Sequence, residues 1–142
     1  MRTIYFAGSI RGGRDDAYLY KKLIDELSQY GEVLTEHVGD PELVSETNLS
    51  DKQIHDRDME WLKRSDILVA EVTTPSLGVG YEIGSAVAMG KPVICLYRKE
   101  KNGKPLSAMI GGSDGADTYH YQTVRDIHLI LRDILGSARN NS

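Results

Sequence analysis

Glu82 is the residue whose position most directly suggests chemistry. The run from Asp66 to Val72 is short and mostly apolar, which is typical of a strand covered on both faces of a sheet. Helical spacing resumes at Ile83 and Val87 after a glycine-broken loop, which predicts a helix near residues 80–90 with Glu82 in its opening turn. Open parallel sheets bind ligands at this edge, beside the carboxyl ends of their strands. The dipole of the helix also favours a carboxylate in the first turn, so a catalytic role and a purely stabilising role are both open.

Asp58 is a second carboxylate in an informative place. Ser50 and Gln53 have the spacing of a capping box, which predicts a helix from about residue 51 to 64. The apolar stripe of that helix consists of Ile54, Asp58, Trp61 and Leu62. Burying a carboxylate is costly. Asp58 is therefore either a paired structural residue, or a partly desolvated group with a raised pKa that exchanges protons in a site shared with Glu82.

A loop of small residues precedes the first predicted helix. A strand near residues 3–8 leads into Ser9-Ile10-Arg11-Gly12-Gly13, and a helix follows near residues 15–29. Free backbone N–H groups, the helix dipole and the guanidinium of Arg11 together favour an anion. The glycine spacing fits neither the dinucleotide fingerprint nor a Walker loop. The loop is thus a candidate phosphate site, unless its glycines only turn the chain.

Five segments in unbroken order resemble the 2'-deoxynucleoside 5'-monophosphate N-glycosidase (N-hydrolase) family, a branch of the nucleoside 2-deoxyribosyltransferase superfamily. They are Tyr5-Phe6-Ala7-Gly8-Ser9-Ile10-Arg11-Gly12-Gly13, Thr35-Glu36-His37-Val38, Asp58-Met59-Glu60-Trp61-Leu62, the stretch from Glu71 to Glu82, and Leu106-Ser107-Ala108-Met109-Ile110. The likeness runs from about Thr3 to Met109, so it covers most of the chain and is more specific than any one motif.

The resemblance implies a role for each matching residue. Glu82 matches the nucleophile that attacks the anomeric carbon of the deoxyribose and expels the base. Asp58 matches the aspartate that assists the leaving base and the later water, and Tyr5 matches a tyrosine whose hydroxyl helps hold these groups. The positions that match nucleotide and phosphate contacts are Gly8, Ser9, Ile10, Arg11, Gly13, Ser76 and Gly78.

The remaining matches concern the wall of the site. His37 matches a histidine that lines the site, without an assigned role. Ser107 and Met109 match a segment that a neighbouring subunit inserts into the site, which implies a functional homodimer.

Composition sets limits that agree with these expectations. A chain of 142 residues predicts one domain. With 17 basic and 21 acidic side chains the net charge is −4, which argues against a broad nucleic-acid surface and for a local cationic pocket. Cys95 is the only cysteine and is expected in the core, and the four histidines lack metal-ligand spacing, so we expect no metal and no cofactor. The chain shows no signal peptide and no apolar stretch of membrane-spanning length, which predicts a cytoplasmic or nucleocytoplasmic protein.

The order of elements predicts an α/β fold: a single Rossmann-like (flavodoxin-like) domain with a five-stranded parallel sheet flanked by helices. Strands are predicted near residues 3–8, 32–36, 66–72, 92–97 and 117–121, and helices near 15–29, 51–64, 80–90 and 123–135. The catalytic domain is expected to comprise residues 1–136, followed by a disordered tail at 137–142.

The predicted function is hydrolysis of the N-glycosidic bond of 2'-deoxynucleoside 5'-monophosphates to a free base and 2-deoxyribose 5-phosphate through a glycosyl-enzyme intermediate on Glu82. Three alternatives stay open: a nucleoside 2-deoxyribosyltransferase, a ribonucleotide N-glycosidase, and a non-catalytic nucleotide-binding regulator. A panel of nucleotide substrates separates them.

Overall fold

The computed structural model describes residues 2–9, 16–35, 48–98 and 105–136, and all structural statements concern these residues. The elements in chain order are β1 (Thr3–Ala7), α1 (Ala17–Leu27), β2 (Glu32–Val33), α2 (Asp51–Arg64), β3 (Ile67–Glu71), α3 (Leu77–Ala88), β4 (Val93–Tyr97), α4 (Ala108–Gly111), β5 (Asp117–His120), α5 (Val124–Leu131) and a π-helical turn (Arg132–Gly136). The predicted tail at 137–142 lies outside the described residues.

The strands form one parallel sheet in the order β2-β1-β3-β4-β5, which confirms the predicted α/β class. Every residue of β3 and β4 is buried, as their continuous apolar sequences predict for strands covered on both faces.

Alternate residues of β1 lie on opposite faces of the sheet. Ile4 and Phe6 pack in a core with α1 and α5, while Tyr5 and Ala7 pack in a second core with α2 and α3. The side chain of Tyr5 therefore points to the face that carries the two candidate carboxylates.

Helix α2 begins as the capping box predicts. The Ser50 hydroxyl accepts from the backbone N–H of Gln53, and the Gln53 side chain accepts from the backbone N–H of Ser50. Leu62 is its fully buried residue, and Asp58 on the same side is partly buried. The expected placement of Asp58 on the packing side of α2 is confirmed.

Helix α3 begins earlier than predicted, at Leu77 rather than near residue 80. The Ser76 hydroxyl accepts from the backbone N–H of Val79, so Ser76 is the N-cap and the glycines that suggested a loop are helical. Placing Glu82 in the opening turn was therefore wrong, since it lies in the second turn. The helix dipole acts mainly over the first turn, so it gives little physical reason for a carboxylate at position 82.

Gly31 follows the first helix, which ends four residues earlier, at Leu27. A Cβ on Gly31 would lie 2.3 Å from the carbonyl oxygen of Arg2. Gly31 is thus required where two backbone segments approach closely rather than as a helix cap.

Candidate active site

Tyr5 and Glu82 meet at the carboxyl edge of the sheet. Tyr5 is 1% exposed on β1, an inner strand of the sheet, and its hydroxyl donates to Oε2 of Glu82 on α3. Burial raises the pKa of Tyr5 above its ordinary value of 10.0, and the charge of Glu82 and this hydrogen bond raise it further. Tyr5 is therefore held as a neutral phenol that donates to Glu82 and orients one carboxylate oxygen.

Asp58 belongs to the same cluster. Its charge also raises the pKa of Tyr5, which places the Asp58 carboxylate within electrostatic range of the phenol. The guanidinium of Arg57 donates to Asp58 Oδ1 from Nε at 3.0 Å, and Nη2 lies 2.9 Å from the same oxygen. The two predicted carboxylates thus share one site, with different partners.

Arg57 was not among the residues predicted from the sequence. Its guanidinium carbon lies 4.7 Å from the centre of the Trp61 ring, one helical turn further along α2. Because a nearby positive charge favours the ionised carboxylate, this contact opposes the raised pKa that we expected from desolvation of Asp58. Adjacent positions on a helix rarely face each other, which explains why the sequence pattern did not indicate this pair.

The predicted phosphate-binding residues are only partly described. Ile10, Arg11, Gly13 and His37 lie outside the described residues. Ser9 is buried beyond the end of β1. A Cβ on Gly8 would lie 2.9 Å from two ring atoms of Tyr20, so the close approach of that ring gives Gly8 a steric role besides the predicted one. Binding of phosphate by this loop stays a prediction.

Ser76, Ser107 and Met109 lie on a groove of about 740 Å³ between the loop after β3, helix α3 and helix α4. Ser107 is the N-cap of α4, a four-residue helix too short for sequence periodicity to indicate. Met109 is 85% exposed, and Leu77 on the same groove is 97% exposed. Of the described residues that line this groove, none is Tyr5, Asp58 or Glu82, so within one chain Ser107 and Met109 lie beside the carboxylate cluster rather than in it.

A second buried carboxylate that we had not predicted, Glu71, fixes the loop between β3 and α3. It accepts from the backbone N–H of Thr73 at 2.7 Å, from the Thr73 hydroxyl at 2.9 Å, and from the Tyr121 hydroxyl. Burial raises the pKa of Glu71, and these hydrogen bonds act against that rise. The Thr73 hydroxyl also accepts from the backbone N–H of Arg98, so the ends of β3, β4 and β5 are connected. The sequence feature that could have indicated the role of Glu71 is a single acidic residue at the end of an apolar strand.

Cys95 is buried in β4, as predicted, and burial raises the pKa of its thiol to about 11. In the part of the chain that the structure describes, no cluster of three acidic, histidine or cysteine side chains could hold a metal ion. None of the helices in the described ranges is long and apolar enough to cross a membrane.

The fold and the site together define a class: a flavodoxin-like parallel α/β domain with two carboxylates and a buried phenol at the carboxyl edge of its sheet. Residues 4–109 match the family model described as nucleoside 2-deoxyribosyltransferase. The chain belongs to this family, which confirms the family predicted from its motifs.

Curated relatives cover most of the chain. It is 55% identical to the 5-hydroxymethyl-dUMP N-hydrolase of Mus musculus over 80% of this chain and 68% of that protein. It is 49% identical to the protein of the same name from Tetraodon nigroviridis over 96% of this chain and 99% of that protein.

Solved structures share the fold at low sequence identity. A CMP N-glycosidase of Clostridium botulinum superposes with a TM-score of 0.67 at 22% identity, covering 94% of this chain and 100% of that chain. A 2-deoxyribosyltransferase from Bacillus psychrosaccharolyticus gives a TM-score of 0.66 at 19% identity, covering 89% and 90%. At these identities the likeness supports the fold alone.

Proposed function

We propose that this protein hydrolyses the N-glycosidic bond of 2'-deoxynucleoside 5'-monophosphates, releasing a free base and 2-deoxyribose 5-phosphate. The observation that carries the proposal is the cluster of Tyr5, Glu82 and Asp58 at the carboxyl edge of the sheet. It occurs in a chain about half identical to proteins named 5-hydroxymethyl-dUMP N-hydrolase. Cleavage of this bond requires a carboxylate nucleophile and a second group for proton transfer, and the cluster offers both.

In the proposed first step, a carboxylate oxygen of Glu82 attacks the anomeric carbon and the bond to the base breaks. The base leaves with the electron pair of that bond. The transition state has oxocarbenium character, which the negative charge of Glu82 stabilises before the covalent bond forms. The hydrogen bond from Tyr5 holds Oε2 of Glu82 and orients the carboxylate for attack.

In the second step, water attacks the anomeric carbon and the bond to Glu82 breaks, which returns the electron pair to the carboxylate. Asp58 assists by proton transfer: it takes the proton of the attacking water in this step, and it or solvent returns a proton to the base that left in the first step. The phosphate is held away from the reacting bond by the N-terminal loop with Ser9 and Arg11 and by Ser76. Binding energy at such a remote group orients the sugar for attack.

We further propose that the active species is a homodimer in which Ser107 and Met109 complete the site of the neighbouring subunit. The high exposure of Met109 and Leu77 on a groove that also includes Ser76 and Ser107 supports this arrangement. Exposed apolar side chains grouped in this way are typical of a surface that is covered in the assembly.

Complementation between two inactive variants tests the dimer. Glu82→Ala removes the nucleophile, and Ser107→Glu places a carboxylate against the phosphate of the neighbouring site. After co-refolding in equal amounts, half of the dimers are mixed and each has one intact site, so about a quarter of the activity should return. If mass analysis detects mixed dimers but no activity returns, Ser107 does not act across the interface.

The activity itself is tested with a substrate panel and chromatographic detection of the released base. The panel contains deoxynucleoside monophosphates, including 5-hydroxymethyl-dUMP, the matching deoxynucleosides and the matching ribonucleotides. Glu82→Gln should abolish base release but retain nucleotide binding, while the control Glu60→Gln, an exposed glutamate on α2, should retain full activity. Base exchange without hydrolysis would instead indicate a transferase, and saturable binding without turnover a regulator.

A further inference from the structure

We propose that Arg57 is a positioning residue that holds Asp58 as an ionised carboxylate, so that Asp58 receives the proton of the water that hydrolyses the Glu82 ester. This inference rests on the proposed function, because it concerns the charge state in which Asp58 enters that reaction. It assigns a role to a residue for which neither the sequence motifs nor the proposed chemistry had a use.

The geometry of the pair carries the argument. Both Nε and Nη2 of Arg57 reach the same oxygen of Asp58, at 3.0 and 2.9 Å. The two side chains are only 26% and 24% exposed, so solvent screens their attraction less than that of a surface pair. The stacking of the Arg57 guanidinium over Trp61 at 4.7 Å restricts its motion. A pair held in this way fixes both the orientation and the charge of Asp58.

The surroundings of Asp58 explain why a cation is needed there. Across from α2, Tyr5 on β1 feels the charges of both Asp58 and Glu82, and this neutral phenol already donates to Glu82 on α3. Two carboxylates in one site repel each other, and without compensation one of them binds a proton. On α2 itself, the His55 ring is hydrogen-bonded to Asp56 and to the hydroxyl of Tyr81. Arg57 is thus the cation that the described structure places directly on Asp58.

The proposed role keeps the reaction balanced. When water attacks the anomeric carbon, its proton moves to the carboxylate of Asp58, and the bond between that carbon and Glu82 breaks. Asp58 then gives this proton to solvent or to the base, which left in the first step with the electron pair of the broken glycosidic bond. The net change is addition of one water across the bond between sugar and base.

The experiment compares the pH dependence of kcat, which includes hydrolysis of the Glu82 ester, for the unmodified protein, Arg57→Gln and Arg57→Lys. An opposite charge in contact shifts a carboxyl titration by 1–3 pH units, and partial exposure favours the lower end, so Arg57→Gln should move the acid limb upward by about one unit. Arg57→Lys should move it less, since it keeps the charge but loses the two-donor contact. The control is Lys52→Gln, which removes a cation of α2 whose partner is the exposed Asp56, and the limb should stay in place.

A second readout does not depend on turnover. The titration of the Asp58 carboxyl carbon can be followed by ¹³C NMR and assigned by the loss of its signal in Asp58→Asn. The titration midpoint should rise by about one pH unit in Arg57→Gln, which is a tenfold change in proton affinity. If the unmodified protein releases no base from any substrate, the proposed function fails, while this titration still tests the pair.

Four outcomes would overturn the inference. An Asp58 midpoint that is the same with and without Arg57 would show that the guanidinium does not set its charge. An upward shift of the alkaline limb instead of the acid limb would show that Asp58 acts in its protonated form. A shifted midpoint with an unmoved acid limb would show that the reaction does not require ionised Asp58. A loss of activity that is equal at every pH would mean that Arg57 serves folding alone.

Discussion

Replacement of Tyr5 by phenylalanine removes one hydroxyl from the centre of the proposed site and keeps the buried ring. That hydroxyl donates to Glu82, and the ring packs between β1 and the helices α2 and α3. The variant therefore separates the hydrogen bond to the nucleophile from the packing of the core.

The size of the effect follows from the type of hydrogen bond. A hydrogen bond to a charged group contributes about 1.5–3 kcal/mol, and each 1.4 kcal/mol is a factor of ten in rate, so kcat should fall roughly tenfold to 150-fold. The loss should appear in kcat more than in KM, because Tyr5 contacts the nucleophile and not the phosphate. Since burial and Glu82 hold the pKa of Tyr5 above its ordinary value, Tyr5 does not titrate in the working range, and any alkaline limb should keep its midpoint.

The assay measures initial rates of base release at saturating substrate, together with urea unfolding to confirm that the variant is folded. Tyr97→Phe is the matched control. Tyr97 is 2% exposed on β4, and its buried hydroxyl has no hydrogen-bond partner among the described residues. Its removal should leave both rate and stability nearly unchanged. A kcat loss below about threefold for Tyr5→Phe, or equal losses in both variants, would refute the role given to the Tyr5 hydroxyl.

Three further predictions use other parts of the site. Ser76→Ala and Ser50→Ala each remove a helix N-cap and should lower the free energy of unfolding by about 1 kcal/mol in urea titrations, but only Ser76→Ala should raise KM for the nucleotide. Arg11→Gln should lower kcat/KM for the monophosphate about tenfold to a hundredfold and leave the slow turnover of the deoxynucleoside unchanged in the same assay. Burial holds the pKa of Glu71 above its ordinary value of 4.5. The folded state therefore binds the proton of the Glu71 carboxyl more tightly than the unfolded chain does. As a result, the free energy of unfolding falls as the pH rises above 4.5. Glu71→Gln should remove this part of the pH dependence, as seen by comparing urea midpoints at low and neutral pH.

The sequence predicted the parts of the structure that follow from repeated patterns. Apolar runs identified the buried strands, and the Ser50 and Gln53 pair located the start of α2. Because parallel strands carry their ligand sites at one edge, the position of Glu82 indicated that edge, while for Asp58 a site shared with Glu82 was one of two open interpretations.

The features that the sequence did not predict depend on single contacts. The start of α3 at Leu77 depends on the hydroxyl of Ser76, while the glycines after it suggested a loop. Helix α4 has four residues, which is too short for any periodicity. The contact between Arg57 and Asp58 joins neighbours in the chain, and neighbours on a helix diverge unless their side chains bend toward each other.

The distribution of partners between the two carboxylates agrees with the work that each must do. Glu82 accepts from a neutral phenol, which orients it without adding a positive charge that would weaken it as a nucleophile. Asp58 contacts a guanidinium, which keeps it ionised until it takes a proton from water. Exchanging these partners would weaken the nucleophile and leave the proton acceptor next to an uncompensated negative charge. The proposed roles of nucleophile for Glu82 and of proton acceptor for Asp58 therefore agree with their surroundings as well as with their positions, because different environments give two carboxylates in one site different roles.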